Sequence, residues 1–330
     1  MTTQPTVADV RPTPAPLAPT TPAPTTPAMR QHLDPFAIGL MTLMCVCLAV
    51  GQVAIKVANA GISPVMQAGL RSLAGAVLVG LFAWARGVRL FARDGIFWPG
   101  LMVSLFFAAE FACLYPGLAL TTAGHAVVLL YVAPFVVAVG AHFLIPGDRL
   151  TTVKLVGLLL AMSGVATIML GREAAAGGAA GPTLAGDLLC LAGAFAWGGL
   201  TLTIRTTSLA RVAPERVTFI QCAVSGVILF ALSPLLGEAG VTNPTPLMWA
   251  AFAFTVVFIA GFVFTTTTWL LTRYPASRVM ALMLLTPGFG VVAGYLLLGE
   301  TVGWSLLMGL ALVLAGLWLV NRPPQARRAG

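Results

Sequence analysis

Beyond residue 35 the chain runs in apolar stretches separated by short polar gaps, and this alternation constrains the fold more than any motif. About 20 apolar residues in helix cross the hydrocarbon core of a bilayer. In lipid the backbone must satisfy its own N–H and C=O groups, so such stretches form helices. Turn and charge signals predict ten spans, near 36–58, 64–86, 96–118, 124–144, 151–171, 185–205, 214–236, 248–271, 278–298 and 302–321. Composition points the same way: 58% of the residues are hydrophobic and 8% charged, against roughly a quarter charged in soluble domains. The expected fold class is an all-α integral membrane protein.

The net charge of +8 does not indicate a nucleic-acid partner. Arg outnumbers Lys 16 to 2, and the basic residues sit in the gaps between apolar runs, without interleaved aromatics. Alternate gaps collect 15 of the 18: Arg11 and Arg30, then Arg86, Arg89 and Arg93, then Arg149 and Lys154. Arg205, Arg211 and Arg216 follow, then Arg273 and Arg278, and last Arg322, Arg327 and Arg328. Lys56 and Arg172 fall on the other side, and Arg71 lies inside a span. The positive-inside rule therefore predicts a multi-pass protein of the cytoplasmic (inner) membrane with both termini cytoplasmic.

Residues 1–33 are rich in Pro, Thr and Ala. They carry too little apolar surface to build a core and are expected to form a disordered cytoplasmic tail. The segment lacks the apolar centre of a signal peptide, and Met29 is a second candidate start. Residues 322–330 form a basic cytoplasmic tail. The cysteines, Cys45, Cys47, Cys113, Cys190 and Cys222, all lie in apolar runs and read as small packing residues. No metal site and no cofactor is expected.

One pattern occurs twice. Gly157 and Gly164 lie nine and sixteen residues after Asp148; Gly309 and Gly316 lie at the same distances after Glu300. Upstream, Pro134 and Pro287 match with a shift of one residue. The second spans also align, from Pro64 and from Pro214, pairing Arg71 with Gln221. Spans 1–5 therefore repeat as spans 6–10, over 34–172 and 185–321. An odd number of helices per unit puts the copies in opposite orientations, the plan of many secondary transporters.

The two halves resemble the paired EamA-type domains of the drug/metabolite transporter superfamily over about residues 36–321. The matching stretches are "GQVAIKVANAGISP" followed by Arg71, the mid-span Pro134, "GDRLTTVKLVG", Pro287 and "LLLGETVGWSLLMGLALVLAG". Asp148 stands where the family usually has Glu. The resemblance implies ten helices around a central cavity and export of small metabolites, amino acids or drugs.

Several residues stand out as candidates for function. Asp148 and Glu300 each precede a helix, where a carboxylate caps free N–H groups and favours the positive end of the helix dipole; a gating contact is the sharper alternative. Pro134 and Pro287 fall near the middle of spans 4 and 9, where each removes a helix hydrogen bond and permits a hinge. Glu110 lies deep in span 3, where a charge must be paired, hydrated or protonated. By helix rise Arg71 and Glu110 sit at similar depths, about 10 and about 12 Å, so an ion pair between them is feasible. The position aligned with Glu110 in the second half is Val263, and that asymmetry suits a substrate or proton site. Gln52, Tyr115, Tyr131, Trp197, Gln221, Thr268 and Trp269 are further candidates for the solute site. Trp197 has space beside it in "GAFAWGG".

The leading expectation is a secondary transporter exporting a small organic metabolite by alternating access. Multidrug efflux and facilitated uptake are the alternatives, with a non-transport scaffold behind them. No HExxH, Gly-x-Ser-x-Gly, acid pair or phosphate-binding loop indicates an enzyme, and no nucleotide-binding domain indicates ATP-driven pumping. The expected partners are a small solute and the lipid bilayer; the sequence leaves the oligomeric state open, a monomer included.

Overall fold

A computed structural model describes residues 34–92, 95–146, 150–171, 182–274, 279 and 282–320. Both tails, Asp148 and the Arg172 loop lie outside the described residues. Among the described residues every regular element is helical; Ile62 and Val241 form an isolated bridge. The helices are α1 (Pro35–Asn59), α2 (Pro64–Ala85), α3 (Phe97–Leu120), α4 (Ala123–Leu130), α5 (Ala133–Leu144) and α6 (Thr152–Leu170). They continue as α7 (Leu184–Thr206), α8 (Pro214–Leu235), α9 (Pro246–Phe254), α10 (Phe264–Arg273), α11 (Thr286–Leu298) and α12 (Trp304–Val320). A π-helical stretch, Thr255–Val263, joins α9 to α10.

Helix starts are set locally. Asp34, Thr122, Thr151, Thr183 and Thr245 each accept a backbone N–H from the first turn of the helix that follows. Proline occupies the first turn of α1, α2, α8 and α9, where its missing N–H costs nothing. Among the described residues eight helical segments are long and apolar enough to cross a membrane, α4 with α5 counting as one and α9 with its π-helical extension and the start of α10 as another. Among the described residues α11 and α12 are apolar helices of 13 and 17 residues.

The twin glycines explain one packing seam. A Cβ on Gly157 falls 2.7 Å from the carbonyl oxygen of Gly316, and one on Gly164 falls 2.7 Å from that of Gly309. The pairs cross antiparallel, so α6 and α12 touch through their backbones, the small-residue packing that membrane helices use in place of a hydrophobic drive. The other extensive contacts are α3 with α7 and α2 with α8.

The two ends of the bundle are tied differently. At the end holding Lys56, Ser63 N–H donates to Gly240 O at 2.8 Å and Thr242 N–H to Gly61 O at 2.9 Å. There Glu238 caps α2, accepting from Val65 and Met66 N–H at 2.9 Å each. At the opposite end Arg216 donates through Nε to Leu90 O at 3.0 Å and through Nη2 to Ala92 O at 2.6 Å. Arg86 stands 3.5 Å from Glu215 beside it.

Candidate functional site

Midway between these ends lies a cavity of about 260 Å³ whose walls follow helical periodicity. Leu48, Gly51, Gln52 and Ile55 form one face of α1; Phe107, Glu110, Phe111 and Leu114 form one face of α3. Both sets recur at i, i+3, i+4 and i+7, the spacing of a single helical stripe. Arg71, Leu130, Trp197, Leu200 and Gln221 close the sides, and Thr255 and Ile259 enter from the π-helical stretch. An adjoining cavity of about 140 Å³ shares Arg71, Phe107, Phe111 and Ile259 and continues past Cys222 towards Thr218 and Val79.

Three polar atoms on the walls, Gln52 Oε1, Arg71 Nε and Gln221 Oε1, are buried without a hydrogen-bond partner among the described residues. Unpaired buried polar atoms are costly, and natural structures rarely keep them without a reason such as a ligand or water. The Arg71 guanidinium lies 4.7 Å from the centroid of the Phe111 ring, a cation–π arrangement. Glu110 is buried at 7% exposure. Arg71 and Glu110 line the same cavity, but among the described residues no ion pair within 4.0 Å joins them.

The structure brings together five of the residues singled out in the sequence: Gln52, Arg71, Glu110, Trp197 and Gln221. It does not place the other aromatics on the cavity wall. Tyr115 is fully buried against Phe111, with ring centroids 5.5 Å apart. Tyr131 donates its hydroxyl to Met283 O at 3.0 Å and sets its ring edge-on to Trp197. Trp269 packs against Phe36 and beneath Arg273. The side chain of Thr268 lies outside the described residues. The sequence reading missed Phe107, Phe111, Thr255 and Ile259; the first two were detectable as the stripe surrounding Glu110.

Pro134 and Pro287 do not kink continuous helices: each lies in the first turn of a new helix, α5 and α11. The break before each proline has the same form. Val132 N–H bonds to Leu129 O and Leu285 N–H to Leu282 O, both at 3.1 Å and both one residue tighter than the α-helical pattern. Glu300 departs further from expectation. It caps the distant α4 rather than the α12 that follows it, accepting from Ala123 N–H at 2.9 Å and Gly124 N–H at 3.3 Å. A tight corner after α11, where Gly299 has φ +64, turns the carboxylate back onto the bundle.

Many apolar helices around a largely apolar cavity with a few buried polar groups on its walls define a multi-pass membrane protein. The sequence profile of the EamA-like transporter family matches residues 35–170 and again 184–322; the chain belongs to that family. It is 30% identical over 296 residues to a Salmonella typhimurium protein named "Probable amino-acid metabolite efflux pump", covering 85% of this chain and 93% of the relative. It is 28% identical over 286 residues to the "Uncharacterized transporter YvbV" of Bacillus subtilis, covering 83% and 88%. A solved crystal structure shares the fold with a TM-score of 0.58 at 22% identity, over 86% of this chain and 94% of that one.

Proposed function

We propose that the chain is a secondary transporter that exports a small organic metabolite, an amino acid or a related compound, by alternating access between two inverted five-helix repeats. The observation that carries this reading is the cavity: residues from both halves wall it, and three of its polar atoms lack partners. Two successive family matches and two helix breaks of the same form support the repeat. The Arg-rich gaps support an orientation with the Lys56 end outside.

The wall chemistry suits a compound carrying an anionic and a cationic group on a partly apolar frame. Arg71 supplies donors for a carboxylate. Glu110 and the oxygens of Gln52 and Gln221 supply acceptors for an ammonium group, and Phe107, Phe111 and Trp197 cover the apolar part. The relative named for amino-acid metabolite efflux supports the same class.

The test is flux measured in proteoliposomes and retention in overexpressing cells, screened across amino acids, nucleosides and cationic drugs. Outward movement of amino acids or their derivatives, abolished by Arg71→Ala, is the expected result. Movement of cationic drugs alone would assign the protein to multidrug efflux, and movement of no solute would leave a scaffold role. Within this reading Glu110 carries the coupling proton.

A further inference from the structure

A second polar cluster, absent from the cavity, occupies the Lys56 end. Lys56 Nζ donates to Glu300 Oε1 at 2.8 Å and to Thr121 O at 2.7 Å. The Thr121 hydroxyl donates to Asp187 Oδ1 at 2.5 Å, and His125 Nδ1 lies 3.2 Å from both oxygens of that carboxylate. Asp187 is wholly buried, His125 is 5% exposed, and the Glu300 side chain is 9% exposed. A glycine makes room for the cluster: a Cβ on Gly294 would stand 2.5 Å from Glu300 Oε2. One chain of contacts thus joins α1, the end of α3, the start of α4, the start of α7 and the corner between α11 and α12.

The same helices wall the cavity. On α1, Lys56 follows Ile55 and lies one turn beyond Gln52, both cavity residues. α3 carries Glu110 and Leu114 on the cavity and Thr121 at its end; α7 carries Trp197 on the cavity and Asp187 in its first turn. α4 is a short rod with its first turn held by Glu300, and its last residue, Leu130, lies on the cavity wall, immediately before the break that precedes Pro134. A shift of any of these helices at the cavity is therefore transmitted to the cluster.

We propose that this cluster is the latch that closes the solute cavity at the Lys56 end, and that its two arms, Lys56–Glu300 and His125–Asp187, part together when the cavity opens there. The latch rests on the transport reading, since only a transporter needs that end to open. Thr121 couples the arms, because its carbonyl holds Lys56 while its hydroxyl holds Asp187. Parting exposes both carboxylates to water, which replaces the contacts they lose, so the charges are satisfied in the closed and the open state.

The experiment uses the full chain in right-side-out vesicles with a reporter thiol introduced by Gln52→Cys. A membrane-impermeant maleimide is added from outside, and modification of position 52 is followed by peptide mass spectrometry. Glu300→Gln keeps the size and one of the two capping oxygens and removes the charge; Lys56→Met removes the partner. Each is expected to raise the labelling rate by about tenfold or more, the scale on which loss of a state-specific contact redistributes two conformations. The double variant is expected to fall well short of the product of the two single effects, because the Lys56–Glu300 contact is lost in each. Thr121→Val, which deletes only the bridging hydroxyl, is expected to raise labelling several-fold with both ion partners intact. Unchanged labelling in variants that keep the parent's melting temperature would overturn the latch, as would additive effects in the double variant. Labelling needs no solute and flux is measured with Gln52 intact, so faster labelling in a protein that moves nothing removes the transport reading alone. Solute flux with unchanged labelling removes the latch alone.

Discussion

Gly157 and Gly316 meet backbone to backbone across α6 and α12, with Gly164 and Gly309 repeating the contact further along the seam. A side chain at either level must push the helices apart. Gly164→Val is expected to destabilise the protein by about 1–3 kcal/mol, the usual cost of overpacking a tight contact. Gly288→Val serves as the control, since a Cβ there meets nothing within 4 Å. Thermal unfolding in detergent compares them, and equal melting temperatures would rule out the seam as a packing constraint.

Arg71 holds its guanidinium over Phe111 and keeps Nε free of any partner among the described residues. Arg71→Lys retains the charge but loses the planar fork and its stacking. Solute affinity is expected to fall at least about tenfold, or about 1.4 kcal/mol, while the fold is preserved. Solute-dependent shifts in melting temperature report this directly, because a ligand bound only to the native state stabilises it in proportion to its occupancy.

Glu110 has no ion-pair partner within 4.0 Å among the described residues and faces the cavity. If it carries the coupling proton, Glu110→Gln uncouples flux from an imposed pH gradient but leaves downhill exchange intact. Flux with an unchanged pH dependence would sink the coupling role.

The breaks before Pro134 and Pro287 are held open by residues that cannot extend a helix backwards. Pro134→Ala and Pro287→Ala are each expected to slow flux while leaving solute affinity close to that of the parent. Tyr131→Phe, which deletes the hydroxyl contact to Met283 O, should act in the same direction. A loss of affinity without a loss of rate would show that the breaks shape the site instead of moving it.

Glu238 satisfies two N–H groups at the start of α2 and accepts the Ser233 hydroxyl at 2.7 Å. Glu238→Ala is expected to cost about 1–2 kcal/mol, in line with lost helix caps, read as a lower melting temperature. Glu238→Gln, with one capping oxygen left, should fall between.

Short-range sequence features set the all-helical class, the capped and proline-led helix starts and the periodic faces, but not the breaks before Pro134 and Pro287 or the π-helical stretch. Lipid forces each apolar stretch to satisfy its backbone alone, and an N-cap such as Asp34 or a proline such as Pro64 acts within one turn. The stripe around Glu110 and the matched glycines were legible for the same reason: helical spacing is a local property. Which groups meet depends on how the helices pack. Lys56 reaches Glu300 across 244 residues and His125 reaches Asp187 across 62, while Arg71 settles on Phe111 and leaves Glu110 to the cavity. Hydropathy gives each span a depth but no neighbours, and many pairings of helix ends satisfy the same depths. Close packing of the bundle, through contacts such as Gly157 on Gly316, selects among them.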